Sequence, residues 1–267
     1  MRPNPTKEKL RRGELAVGMM MLSADPHGVG VIAATGYDFI MFDLEHTSLS
    51  YERLERLVHS ADAAGITPMT RVSSGSRSDL LRALETGVRG LMVPMVESAA
   101  GMAEAARYAR YHPDGERGVY FLSYPSGYGG GTLSEHFAAT NDALLLIAQI
   151  ESAAGAENAA AIAAVPGVDM LFIGPADLSQ SLGVPGDLGH ERVLQATEAT
   201  LAAARAAGKW SGVMGLNPAN AARWAAQGAA FIVWHQEMTL FKRVLADEAA
   251  LIRSHLGWHQ RVGMRRE

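Results

Sequence analysis

Cysteine is absent from the 267 residues, which excludes disulfides, thiolate metal sites and a cysteine nucleophile. Lysine is almost as scarce. Lys7, Lys9, Lys209 and Lys242 are the only four, and the rest of the 24 basic residues are arginines. Any Schiff-base chemistry must therefore use one of those four. No apolar run approaches the ~20 residues of a membrane span. The opening Met1-Arg-Pro-Asn-Pro-Thr-Lys lacks the apolar core of a secretory signal. There is no basic excess either: the net charge is −4, the pI is about 6.1 and the arginines are scattered. That argues against nucleic acid or an anionic membrane as partner, and a cytoplasmic protein is the expectation. What is present is 48% apolar content, enough for a large core.

Apolar runs alternate with helical patterns along the whole chain. Strands are predicted at 15–22, 38–44, 67–72, 90–96, 144–151, 170–174, 210–214 and 229–234. Helices are predicted at 5–12, from Asp25-Pro26 onward, and at 51–64, 77–86, 98–109, 153–164, 190–207, 217–227 and 238–255. Residues 112–132, with His-Pro-Asp-Gly and Tyr-Gly-Gly-Gly, read as a long loop. Eight strands each followed by a helix predict an α/β fold, a (β/α)8 TIM barrel. With no linker in the chain, a single domain over 1–267 is expected, with an N-terminal arm at 1–14 and a C-terminal helix and tail at 236–267.

Active sites of such barrels lie at the carboxyl ends of the strands, so polar residues there form a functional list. It holds Asp43, Glu45 and His46 after the second strand, Arg71 on the third, Glu151 after the fifth and Asp177 after the sixth, with His235 following the eighth. Glu85, ending the helix after the third strand, is expected to lean towards the same rim. The fifth and sixth strands run parallel, so Glu151 and Asp177 emerge together, and two carboxylates there suit a hard divalent cation. The alternative is a helix-capping Asp and a solvated Glu. His46 beside two acids is the best general-base candidate, with an Asp to fix its tautomer. Arg71 sits in an apolar strand and needs a carboxylate or substrate oxyanion to offset its burial. Free N–H groups at Ala176 and Asp177 suit a substrate carboxylate. Gly28-x-Gly30 superficially matches a dinucleotide fingerprint, but Asp25-Pro26 starts the helix before those glycines.

Asp43-Leu-Glu-His46, Arg71, Gly90-Leu-Met-Val-Pro-Met-Val96, Glu116-Arg-Gly118, Gln149-Ile-Glu151 and Phe172-Ile-Gly-Pro-Ala-Asp-Leu-Ser179 occur in one order and spacing. Together they resemble the HpcH/HpaI aldolase family of metal-dependent (class II) pyruvate aldolases, typified by 4-hydroxy-2-oxoheptanedioate aldolase. The resemblance implies a barrel assembled as a homo-oligomer, a hexamer built as a trimer of dimers, whose last helix is exchanged between subunits. It implies Mg²⁺, Mn²⁺ or Co²⁺ held by Glu151 and Asp177. Arg71 would sit on the keto/enolate oxygen, His46 supported by Asp43 would move protons, and Gln149 would line the pyruvate pocket. Where relatives carry an Asp, this chain has Glu85.

The implied reaction is reversible aldol cleavage of a 4-hydroxy-2-oxo acid to pyruvate and an aldehyde through a metal-stabilised pyruvate enolate. Oxaloacetate-type decarboxylation would use the same residues, and a nicotinamide-dependent oxidoreductase is the more distant alternative. Two stretches depart from the family pattern: 119–131, which carries no basic residue, and Trp234-His235. Both are expected to border the aldehyde, favouring small neutral or hydroxylated aldehydes over acidic ones.

Overall fold

The computed structural model describes residues 2–256. The chain opens with helix α1 (Pro5–Arg11), then alternates β1 (Ala16–Met21), α2 (Pro26–Ala34), β2 (Phe39–Asp43), α3 (Tyr51–Ala64), β3 (Thr67–Arg71) and α4 (Arg77–Glu85). It continues with β4 (Gly90–Val93), α5 (Ala99–Ala109), α6 (Leu133–Ala143), β5 (Leu145–Ile150), α7 (Ala153–Glu157), α8 (Ala159–Ala163) and β6 (Met170–Ile173). Then follow α9 (Pro175–Ser181), α10 (Glu191–Ala206), β7 (Trp210–Gly215), α11 (Pro218–Ala226), β8 (Phe231–Gln236) and α12 (Glu237–Leu256). All eight strands pair in parallel and in sequence order, and β8 pairs back onto β1 to close the barrel. The fold is the (β/α)8 barrel that the alternation predicts.

Strand side chains alternate between two faces. One set, including Met20, Phe39, Met41, Met69, Met92, Ile147, Met170, Phe172 and Phe231, fills the barrel interior. The other, including Met19, Ile40, Phe42, Leu91 and Leu146, packs outward under the helices. The interior is crowded enough to require glycine at selected places. A Cβ on Gly18 would lie 2.3 Å from the Phe39 ring. The amino-terminal mouth is closed by α1: Asn4 donates to the carbonyls of Arg89 (2.9 Å) and Ala143 (2.8 Å). Leu10 fills the interior behind it.

Four local features differ from the sequence reading. Strand β4 ends at Val93, not 96, because Pro94 offers no N–H and Met95 adopts φ +50°. The helix expected over 153–164 is two short helices meeting at Asn158. After the long loop comes helix α6, opened by a capping box between Thr132 and Glu135. The loop itself lies on the floor of the barrel, opposite the expected rim. Tyr124 donates to Asp62 near the end of α3 (2.7 Å), and Asp62 pairs with Arg89 just before β4 (2.6 Å).

Helix α12 is amphipathic, yet none of its 20 residues is buried. Phe241, Val244, Leu245, Leu251, Ile252 and Leu256 are all exposed. No helix among the described residues is long and apolar enough to cross a membrane.

Candidate active site

The interior side-chain parity continues upward from apolar to polar. On β2, Phe39 and Met41 are followed by Asp43; on β3, Met69 is followed by Arg71; on β5, Ile147 is followed by Gln149 and, just past the strand end, Glu151. A polar layer thus sits on an apolar one at the carboxyl-terminal mouth. The cavity above it, about 270 Å³, is lined by His46, Arg71, Gln149, Ala176, Asp177, His235, Gln236 and Thr239, with Met20, Phe172, Leu188, Met214 and Leu216 as apolar wall. Its volume is at the small end for ligand sites.

Asp43 and Arg71 are register partners on neighbouring strands. Arg71 Nε and Nη2 donate to the two Asp43 oxygens at 2.9 and 2.8 Å. Asp43 is fully buried and also accepts the Glu45 backbone N–H (3.1 Å). Both its oxygens are therefore taken, and it does not reach His46. The carboxylate beside His46 is Glu45, whose Oε2 lies 3.7 Å from His46 Nε2 and 3.2 Å from Arg71 Nε. Burial raises the Glu45 carboxyl above its ordinary range, against the pull of Arg71. The His46 side chain is exposed and lines the cavity.

Glu151 is buried. Its Oε1 accepts the backbone N–H of Met95 at 2.7 Å, and its Oε2 accepts from Gln149 Nε2. Burial pushes its carboxyl up to about 7, with Glu45 and Asp177 adding like-charge repulsion. Gly174 makes this possible, since a Cβ there would lie 2.6 Å from Glu151 Oε2 and 2.8 Å from Gln149 Nε2. Asp177 stands in the first turn of α9, half-buried, beside exposed Ala176.

These residues fit a divalent cation. Glu45, Glu151 and Asp177 repel one another, and the buried Gln149 Oε1 has no hydrogen-bond partner among the described residues. The neighbourhood is short of positive charge. No group of three or more His, Cys, Asp or Glu forms a metal cage among those residues. Two carboxylates with other positions open to water and substrate oxygens match how hard cations are held.

Glu85 is not part of the site. Helix α4 runs back down the barrel, so its last residue lies at the amino-terminal end, where Arg117 Nη2 donates to Glu85 Oε1 (2.9 Å). The sequence reading assigns no role to Met20, Phe172, Leu188, Met214, Gln236 or Thr239, which line the cavity. Strand parity would have found Met20, Phe172 and Met214. Nothing local in the sequence marks Leu188 or Thr239.

The family model "HpcH/HpaI aldolase/citrate lyase" matches residues 16–243. The chain is 36% identical over 251 residues to a 2-keto-3-deoxy-L-rhamnonate aldolase of Klebsiella pneumoniae, covering 94% of each protein. The corresponding protein of Shigella sonnei is 34% identical with the same coverage. Among solved structures, an HpcH/HpaI aldolase from Desulfitobacterium hafniense superposes with TM-score 0.87 at 32% identity, over 92% of this chain and 96% of that one. The citrate synthase SbnG superposes with TM-score 0.86 at 30% identity, over 93% and 97%. Matched across nearly its whole length by family model, sequence and fold, the chain belongs to the HpcH/HpaI aldolase/citrate lyase family.

Proposed function

We propose that this protein is a metal-dependent carbon–carbon lyase that cleaves a 4-hydroxy-2-oxo acid reversibly into pyruvate and a neutral aldehyde. The observation that carries the reading is the polar layer itself: a buried carboxylate, Glu151, held with Gln149 and close to Asp177, in one layer with a guanidinium, Arg71, fixed by Asp43. Relatives that act on 2-keto-3-deoxy-L-rhamnonate support the substrate class, a 2-keto-3-deoxy sugar acid.

Glu151 and Asp177 would hold Mg²⁺, Mn²⁺ or Co²⁺, and the bound ion would supply Lewis-acid stabilisation of the negative charge developing on the 2-oxo acid. Asp43 fixes Arg71 by two hydrogen bonds, so the guanidinium meets the enolate oxygen without reorganising. The backbone N–H groups of Ala176 and Asp177 receive the substrate carboxylate at the start of α9. His46 takes the proton from the 4-hydroxyl. The C4–O bond becomes a carbonyl as the C3–C4 bond breaks, its electron pair moving into the enolate, which is then protonated at C3 to give pyruvate. Glu45, with Oε2 3.7 Å from His46 Nε2, is the carboxylate that would stabilise the imidazolium as the proton moves.

The test is pyruvate release from a panel of 4-hydroxy-2-oxo acids, with oxaloacetate included because decarboxylation would use the same residues. EDTA should abolish turnover, and Mg²⁺, Mn²⁺ or Co²⁺ should restore it. Full activity of Glu151→Gln in EDTA would overturn the reading.

We also propose that the protein is a homo-oligomer in which α12 docks on another copy, because the helix leaves an apolar row uncovered. Sedimentation of Phe241→Glu/Leu245→Glu should show smaller particles than wild type; identical particles would refute the docking.

A further inference from the structure

The cavity has two ends. Arg71, Gln149 and Asp177 line one, and the proposed pyruvate half fills it. At the other end the wall comes from β8 and the start of α12, where His235, Gln236 and Thr239 are the polar groups and Leu188, Met214 and Leu216 the apolar ones. Apart from Arg71, no lysine or arginine among the described residues lines the cavity. A second carboxylate on the substrate would find no guanidinium in the wall itself to grip it in a two-bond pair.

His235 is built into this wall at a cost. Its φ is +57°, a left-handed conformation that residues with a side chain adopt uncommonly and that marks local strain. The strain is visible in the register. Gly18 pairs with Val233, but Met20 pairs with Gln236, so β8 carries one more residue than β1 over this stretch. Such a bulge re-aims side chains next to a site. Here it lets two consecutive residues, His235 and Gln236, both line the cavity. The His235 ring rests edge-on against Trp234, with centroids 4.7 Å apart. Trp234 in turn sits over Gly215, where a Cβ would approach its ring to 2.7 Å. The ring is thus supported from behind. Burial, reinforced by Arg243, holds the His235 pKa below the ordinary histidine range. A neutral imidazole has one N–H donor and one acceptor nitrogen, the complement of an alcohol.

His46 and His235 flank the same strand. β1 pairs with β2 on one side and β8 on the other, and Met20 faces the cavity between them. If His46 serves the hydroxyl on C4, the carbon beyond it lies on the His235 side. We infer that His235 is a specificity-determining residue that hydrogen-bonds the hydroxyl on the aldehyde carbon adjacent to the carbonyl, making the enzyme selective for 2-hydroxyaldehydes. This rests on the aldolase reading above and deepens it.

The experiment compares matched aldehydes in aldol addition with pyruvate: glycolaldehyde against acetaldehyde, and lactaldehyde against propionaldehyde. Wild type should prefer the hydroxylated member of each pair in kcat/KM by on the order of tenfold, the worth of one neutral hydrogen bond. His235→Gly removes the ring and also relaxes the left-handed backbone. It should bring both ratios close to one, and His235→Asn, which keeps a donor and an acceptor, should retain part of the preference. Because each ratio is taken within one protein, loss of folded enzyme cancels. Deuterium exchange at the pyruvate methyl group, which needs no aldehyde, tests the underlying reading separately. Absence of exchange in metal-loaded wild type would overturn the aldolase assignment. Exchange with unchanged ratios in His235→Gly, or with no preference in wild type, would overturn the role of His235.

Discussion

Asp43 and Arg71 stand opposite one another in register on β2 and β3, and the two oxygens of the one are held by the guanidinium of the other at 2.9 and 2.8 Å. Both are buried, so each is the other's principal counter-charge. Removing Arg71 would leave Asp43 desolvated and unpaired, and removing Asp43 would leave Arg71 only the Glu45 carboxylate at 3.2 Å, so the loss is up to about 3–5 kcal/mol. Asp43→Asn should therefore lower both the Tm and kcat/KM for pyruvate release. A variant with wild-type melting and turnover would show that the pair neither stabilises the barrel nor aims Arg71.

His46 is expected to act in the transition state, whereas pyruvate is bound by other groups. His46→Ala should lose ~10²–10⁴ in kcat with little change in the pyruvate dissociation constant. Weakened pyruvate binding at unchanged turnover would make His46 a binding residue instead.

No lysine reaches the cavity. Lys7 is buried on the barrel floor, donating to the Leu144 carbonyl (2.6 Å) and lying 3.2 Å from Asp169, and Lys9 pairs with Asp38. Lys209 precedes β7 at the amino-terminal end, and Lys242 is on α12. Borohydride added with pyruvate should trap no covalent adduct by mass spectrometry. A reduced adduct on any lysine would contradict this.

His136 offers a pH-dependent measurement away from the site. It is buried between Tyr111, Phe121 and Phe137, and burial drops its pKa from 6.5 to about 4. The unfolded chain takes up a proton near 6.5 and the folded one only near 4. Stability from the neutral ring is complete above 6.5 and is lost as pH falls through that window, by on the order of 2–3 kcal/mol. Urea unfolding of His136→Phe should show a smaller stability loss between pH 7 and 4 than wild type. Identical pH profiles would remove His136 as a cause.

The strands, their order and most of the polar layer were legible because inward parity runs unbroken from Phe39 to Asp43, from Met69 to Arg71 and from Ile147 to Glu151. The two misplacements share one cause. Glu85 ends α4, and the 119–131 loop follows α5; both helices run antiparallel to the strands, so what lies beyond them falls at the floor. Sequence distance from a strand end hides that reversal. The partner of Asp43 was hidden for a different reason: His46 is its near neighbour in sequence, while Arg71 meets it only through strand register. Helix α6 was available in the Thr132-x-x-Glu135 capping pattern. The bulge that turns His235 into the cavity has no local signature.

Strand β8 passes into α12 without a connecting loop, and Glu237 at the junction accepts the backbone N–H groups of Leu22 (2.9 Å) and Ser23 (2.7 Å). The wall residues His235, Gln236 and Thr239 therefore share one continuous segment with the apolar row beginning at Phe241. For directed evolution this divides the cavity into two kinds of position. Leu188 and Met214 can be randomised as independent sites, whereas mutations at 235–239 also redirect a long helix. Libraries there should be screened for assembly as well as for turnover.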